Sequence, residues 1–155
     1  MRTARQESEL ASAYCEAQYR ATVAGAPVEF TFSRRGCGAL AANQLPPGEW
    51  AIIAAANPWS RPLDDARNAA RTLALRAELE AAHVRWTFAR NSAPDGAWAE
   101  ESFLVEGIGR DGALAIGRRY GQAAAVWGAG IKCGLLWTRS ERWTVLGAQL
   151  PGATR

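Results

Sequence analysis

Asn57, Asn68, Arg71, Glu100, Ser102 and Gln122 are the side chains of this sequence whose types and order suit chemistry on a small polar molecule. Glu100 is the best candidate acid or base, since a carboxylate serves in proton transfer once burial and neighbours move its pKa toward working pH. The asparagines, Ser102 and Gln122 supply neutral donors and acceptors that orient a ligand, and Arg71 supplies a fixed charge. Glu100 and Ser102 stand two apart in a strand-like run and share a face, while Glu101 turns with Phe103 to the other. Each also has an architectural role open to it. Asn57 before Pro58 suits a turn, Asn68 can satisfy strand-end carbonyls, Glu100 can pair with Arg71 or Arg90, and Gln122 can cap a helix.

Other chemistry finds less support. His83 is the single histidine and closes a helix, so a His-based triad or metal site would rest on it alone. Cys15, Cys37 and Cys133 are odd in number and form no C-x-x-C pair, which argues against a disulfide framework and a thiolate metal site. Gly107 to Gly112 spells G-x-G-x-x-G between a strand and a helix, but no acid ends the next strand to hold a ribose, and Asp111 would face the pyrophosphate. Neither a metal nor a cofactor is expected.

The elements that must bring the six residues together can be read from periodicity. Glu7 to Cys15 spaces Leu10, Ala11 and Tyr14 as one helical face, and Gln18 to Val23 and Val28 to Ser33 form a hairpin around Gly25 and Pro27. Arg34 to Gly48 is a Gly- and Pro-bearing loop, and Trp50 to Ala56 a continuous apolar run, expected to be a central strand covered on both faces. A helix is expected from about Pro62 to Ala82, capped by Ser60, with Asn68, Thr72, Leu75, Leu79 and Ala82 on its buried stripe. Val84 to Arg90 and Trp98 to Gly107 make a second hairpin around the loop Asn91 to Ala97. Gly109 to Tyr120 is a second crossover helix, and Gln122 to Trp127, Lys132 to Thr138 and Trp143 to Leu146 are further strands.

If the long helix is a crossover, the strand at Val84 runs parallel to the one ending at Ala56, and the strand at Trp98 runs antiparallel to both. The sheet edge that holds Asn57 then also holds Arg90, the following loop and the start of the Trp98 strand. The second crossover returns Gln122 to that same edge.

The chain has 155 residues, 48% of them apolar and 21% charged, with seven tryptophans. That composition is globular, and the length suits one domain. The expected fold is α+β: a single domain over 1–155 with a mixed sheet of about six to eight strands, one short N-terminal helix and two crossover helices, residues 1–6 and 148–155 being loose ends. The net charge of +3 comes almost wholly from arginine, and the basic pairs Arg34-Arg35 and Arg118-Arg119 are short and far apart. Nucleic acid is therefore not an expected partner. No stretch has the length or apolarity of a signal peptide or membrane span, so a soluble, cytoplasmic protein without a membrane partner is expected.

The series Ala55-Ala56-Asn57-Pro58, Asn68, Trp98-Ala99-Glu100-Glu101-Ser102-Phe103-Leu104-Val105 and Tyr120-Gly121-Gln122 resembles domain-of-unknown-function family 3293, over roughly Leu10 to Leu136. The resemblance implies a small stand-alone bacterial protein and no particular activity, with Asn57, Pro58, Asn68, Glu100, Ser102 and Gln122 on its motif positions. The chain departs from that pattern at Ala54, Ala56 and Ala123, where the family has Thr, an aromatic and Asn.

Two functional readings follow. One is a small-ligand site at the shared edge, enzymatic through Glu100 or binding only. The other is an interaction or accessory module, with a protein partner or homodimer docking on surface tryptophans such as Trp137 and Trp143 and the six polar residues serving as a structural network.

Overall fold

In the computed structural model, which describes residues 4–34 and 44–149, the chain opens with helix α1 (Ala4–Glu16) and the hairpin β1 (Gln18–Val23) and β2 (Ala26–Ser33). Strand β3 (Glu49–Ala54) leads through a single 3-10 turn at Pro58–Ser60 into helix α2 (Asp65–Ala81). A second hairpin, β4 (Arg85–Ser92) and β5 (Ala99–Glu106), is followed by helix α3 (Arg110–Arg119), then by β6 (Ala124–Ala129), β7 (Lys132–Trp137) and β8 (Trp143–Gln149). α1 is already formed at Ala4 and β8 reaches Gln149, inside both segments expected to be loose. Cys37, Gly36, Gly38 and Asn43 of the expected loop, and Pro151-Gly152, lie outside the described residues.

The eight strands close into a barrel in the order β1-β2-β8-β7-β6-β3-β5-β4, with β4 pairing back to β1. Every neighbouring pair is antiparallel. The two crossovers nevertheless join like-directed strands, each time with one opposite strand inserted between them. β5 separates β3 from β4, and β3 separates β5 from β6. The expected mixed sheet is therefore an antiparallel one, because an opposite strand inserts between each pair of like-directed strands and leaves no parallel neighbours among the described residues. Closure covers the second half of the β4 edge, where Ser92 to Ala89 pairs with Gln18 to Ala21.

β3 is buried on both faces, as its unbroken apolar run requires. Trp50 and Ile52 point into the barrel among Tyr19, Phe30, Leu104 and Leu135. Ala51 and Ile53 point outward, where Leu75 and Leu79 of α2 and Ala113 and Leu114 of α3 cover them. Full burial of each of these leucines contributes on the order of 2 kcal/mol. An eight-stranded barrel has room for side chains or for one small ligand. Here the stacked rings of Tyr19 and Phe30, with Phe32 and Trp50 edge-on to Phe30, fill the interior.

α1 packs at the end of the barrel where β3, β4 and β7 finish and β1, β5 and β6 begin. Its Leu10, Ala11 and Tyr14 face the interior cluster, Tyr14 meets Trp137 edge-on at 6.2 Å, and Glu7 pairs with Arg142.

The start of α2 differs from expectation. Ser60 does not cap it, since its backbone is left-handed and the chain runs extended through Leu63. Asp64 is the cap, its Oδ1 accepting from the Arg67 N–H at 2.8 Å.

Candidate functional site

The α1 end of the barrel holds a recess of about 410 Å³. Its polar lining includes Asn57, Ser60, Asn91, Glu100 and Gln122, and Leu10, Tyr14, Pro62 and Trp98 supply much of its apolar wall. The crossover geometry accounts for this gathering. β3 ends at the recess, α2 leaves it, β5 starts from it, and α3 returns the chain to it at Gln122.

Asn57 is the hub. It sits just past β3 with φ 49 and ψ 62, a left-handed conformation that asparagine tolerates better than most residues. Trp59 and Ser60 are also left-handed. Such residues cost about 1–3 kcal/mol each and persist only where surroundings hold them. The Asn57 N–H donates to Asn68 Oδ1 at 2.9 Å, and Asn57 Oδ1 accepts from Asn68 Nδ2 at 2.9 Å and from the Leu63 N–H at 3.0 Å. Asn68 Nδ2 also reaches the Leu63 carbonyl at 3.2 Å. The Trp59 N–H donates to the Gly121 carbonyl at 2.6 Å, and the Arg139 guanidinium lies 4.1 Å from the Trp59 ring centroid.

Asn57 Nδ2 donates to Glu100 Oε1 at 3.0 Å. Glu100 is half-buried, faces the barrel interior with Ser102, and forms no ion pair among the described residues. Burial raises its carboxyl above the ordinary value, and the Asn57 bond pulls it partway back.

The expected pairing of Glu100 with Arg71 or Arg90 does not occur. Arg71 Nε donates to the Ala55 carbonyl at 2.6 Å and Nη2 to the Tyr120 carbonyl, with the guanidinium 5.9 Å from the Tyr120 ring centroid. Arg90 is exposed on β4.

Of the six candidates, Asn57, Glu100 and Gln122 line the recess, whereas Asn68, Arg71 and Ser102 stand behind it. Gln122 Nε2 donates to the Ala56 carbonyl at 3.0 Å and to the Tyr120 carbonyl at 3.3 Å. Ser102 is fully buried and donates to Asn91 Oδ1 at 3.0 Å. Sequence reading assigned Asn91 to a loop, but it lies on β4 opposite Glu100. The available signal was its even spacing from Ala89, which is buried on the inner face. The contribution of α1 had no signal beyond its apolar stripe.

Elsewhere, His83 is an exposed left-handed residue just past α2. The glycine-rich stretch before α3 lies at the opposite end of the barrel, tied down by the Gly107 N–H to the Glu49 carbonyl at 2.8 Å. Trp137 is 2% exposed and Trp143 half-buried edge-on to Trp127. Among the described residues no helix is long and apolar enough to cross a membrane.

Fold and site together define a small α+β protein: an antiparallel barrel with a helix at one mouth and a recess that, among the described residues, holds a single carboxylate. Over residues 53–125 the chain matches the model of the family described as protein of unknown function (DUF3293), the family its motif series resembles. The match runs from β3 into β6 and includes all six candidate residues. No curated protein and no solved structure matches the chain.

Proposed function

We propose that this protein binds a small molecule bearing polar groups in the recess at the barrel mouth. Glu100, Asn57 and Gln122 face the ligand together with Asn91, and Asn68, Arg71 and Ser102 hold that wall in place. The observation that supports this reading is the Glu100 carboxylate, half-buried beside a cavity of ligand size, with one hydrogen bond and no counter-charge among the described residues. A purely structural acid so placed would ordinarily be paired. If the ligand is turned over, Glu100 is the group to move its proton, because its raised pKa brings it toward working pH.

The competing reading, a partner-binding module, takes Trp59, Trp98, Trp127, Trp137 and Trp143 as surface anchors, and of these Trp98 is exposed. Trp137 is buried in the monomer, where its Nε1 donates to Thr144 Oγ1 at 2.8 Å.

The test is a library of small polar fragments titrated into isotope-labelled protein and followed by amide chemical shifts. Binding should perturb Asn57, Asn91, Glu100 and Gln122, and the effect should vanish in Ala13→Trp, which fills the recess from α1. A library in which no fragment perturbs these residues rejects the proposal.

A further inference from the structure

The unspent hydrogen-bonding groups of the recess specify what it can hold. Glu100 is the only charged side chain lining it among the described residues. The Gln122 amide nitrogen is committed to two carbonyls, so its side chain can offer a ligand only its carbonyl oxygen. Asn57 Oδ1 already accepts two hydrogen bonds, and Asn57 Nδ2 already donates one to Glu100. The Tyr19 hydroxyl donates to the Tyr14 carbonyl at 3.3 Å. What stays open is one carboxylate oxygen and one amide oxygen, against the second N–H of Asn57, the amide group of Asn91, the Ser60 hydroxyl and the Trp98 indole N–H. The strongest open groups are thus acceptors, and one of them carries charge.

An anion placed here would meet a carboxylate in a partly desolvated site with no lining cation among the described residues, a large cost. A primary ammonium has three donors and no acceptor, which complements the two open oxygens. The apolar wall formed by Leu10, Tyr14, Pro62 and Trp98 leaves room for an organic body, and ring faces tolerate a neighbouring cation.

We infer that the ligand is a primary amine, bound as its ammonium between the Glu100 carboxylate and the Gln122 side-chain carbonyl, with a short apolar or aromatic body against Leu10, Tyr14 and Trp98. This rests on the ligand reading above and gives it a chemical class.

The experiment compares three probes of one shape by chemical-shift titration: 2-phenylethylammonium, 2-phenylethanol and phenylacetate. The ammonium should bind at the mouth about ten- to a hundredfold more tightly than the alcohol, the range expected for a hydrogen bond to a charged group. Phenylacetate should leave the mouth unperturbed. Glu100→Gln should lower the affinity of the ammonium by far more than that of the alcohol and so remove its advantage. A pH series on the unaltered protein makes the same test should that variant fail to fold: as Glu100 is protonated, ammonium affinity falls much more steeply than alcohol affinity.

Equal or tighter mouth binding by the alcohol or phenylacetate overturns the amine assignment and leaves the ligand reading standing. So does an ammonium affinity indifferent both to Glu100→Gln and to pH, or mouth binding by library fragments while the ammonium is silent. If neither the three probes nor the fragment library perturbs the mouth, both fall.

Discussion

Asn57 and Glu100 are joined by one hydrogen bond, Nδ2 to Oε1 at 3.0 Å, which links the turn after β3 to the first residues of β5. Among the described residues it is the one hydrogen bond to a carboxylate that burial has made harder to ionise. Its consequences can be measured in the absence of any ligand.

The first concerns pH. Because the Glu100 pKa is raised on folding, the folded state keeps the proton to higher pH than the unfolded chain. Its stabilising contribution is therefore full below the ordinary carboxylate value and is lost as pH rises through the raised one. Glu100→Gln keeps an acceptor for Asn57 and removes the ionisation. Melting temperatures of the two proteins from about pH 4 to about pH 8 should show the wild type losing ground to the variant as pH rises. A constant difference across that range would contradict the raised pKa.

Asn68 satisfies the Asn57 N–H and contributes two further hydrogen bonds. Asn68→Ala leaves that N–H and the Leu63 carbonyl without their partner, and should cost about 2–3 kcal/mol in urea unfolding. Ser102→Ala removes one buried hydrogen bond and should cost about 1 kcal/mol, leaving Asn91 Oδ1 unpaired.

Arg71 bridges the carbonyls of Ala55 and Tyr120 with a planar fork, tying the end of β3 to the end of α3. Lysine keeps the charge but cannot reproduce that geometry. Arg71→Lys should therefore lose about 1–2 kcal/mol, most of the effect of Arg71→Ala, in parallel denaturant titrations. Full recovery by lysine would show that charge alone matters here.

Gly121 has φ 69, and a Cβ there would stand 2.8 Å from Pro58 Cβ and 3.2 Å from Trp59 Nε1. Gly121→Ala should cost about 1–2 kcal/mol from the left-handed backbone alone, and more from the contact with Pro58. The added methyl presses on the Asn57–Ser60 turn, so amide shifts of Asn57 and Glu100 should move even where the protein stays folded.

The end of the sheet at which Asn57, Glu100 and Gln122 meet was legible because it depends only on strand direction, and each crossover helix sets that direction whichever strand ends up alongside. Alternation in β5 separated Glu100 and Ser102 from Glu101 for the same local reason. Barrel closure was not legible, since the pairing of Gln18–Ala21 with Ala89–Ser92 joins distant segments with no turn between them to announce it. Asn91 was missed because an asparagine beside a Pro- and Gly-bearing loop reads as part of that loop. The Ser60 cap failed because three left-handed residues before Pro62 delay the helix to Asp64.

α1 meets β1 through the single residue Ala17, and with β1 it contributes Leu10, Ala13, Tyr14 and Tyr19 to the recess, all outside residues 53–125. Asn57, Asn91, Glu100 and Gln122 lie inside that stretch. The apolar wall is thus shared between the two parts of the chain, Leu10 and Tyr14 coming from outside that stretch and Pro62 and Trp98 from within it. Under the proposed ligand reading, substitutions along the Leu10 and Tyr14 face of α1 would retune which molecules fit while leaving the acid and its hydrogen bonds untouched.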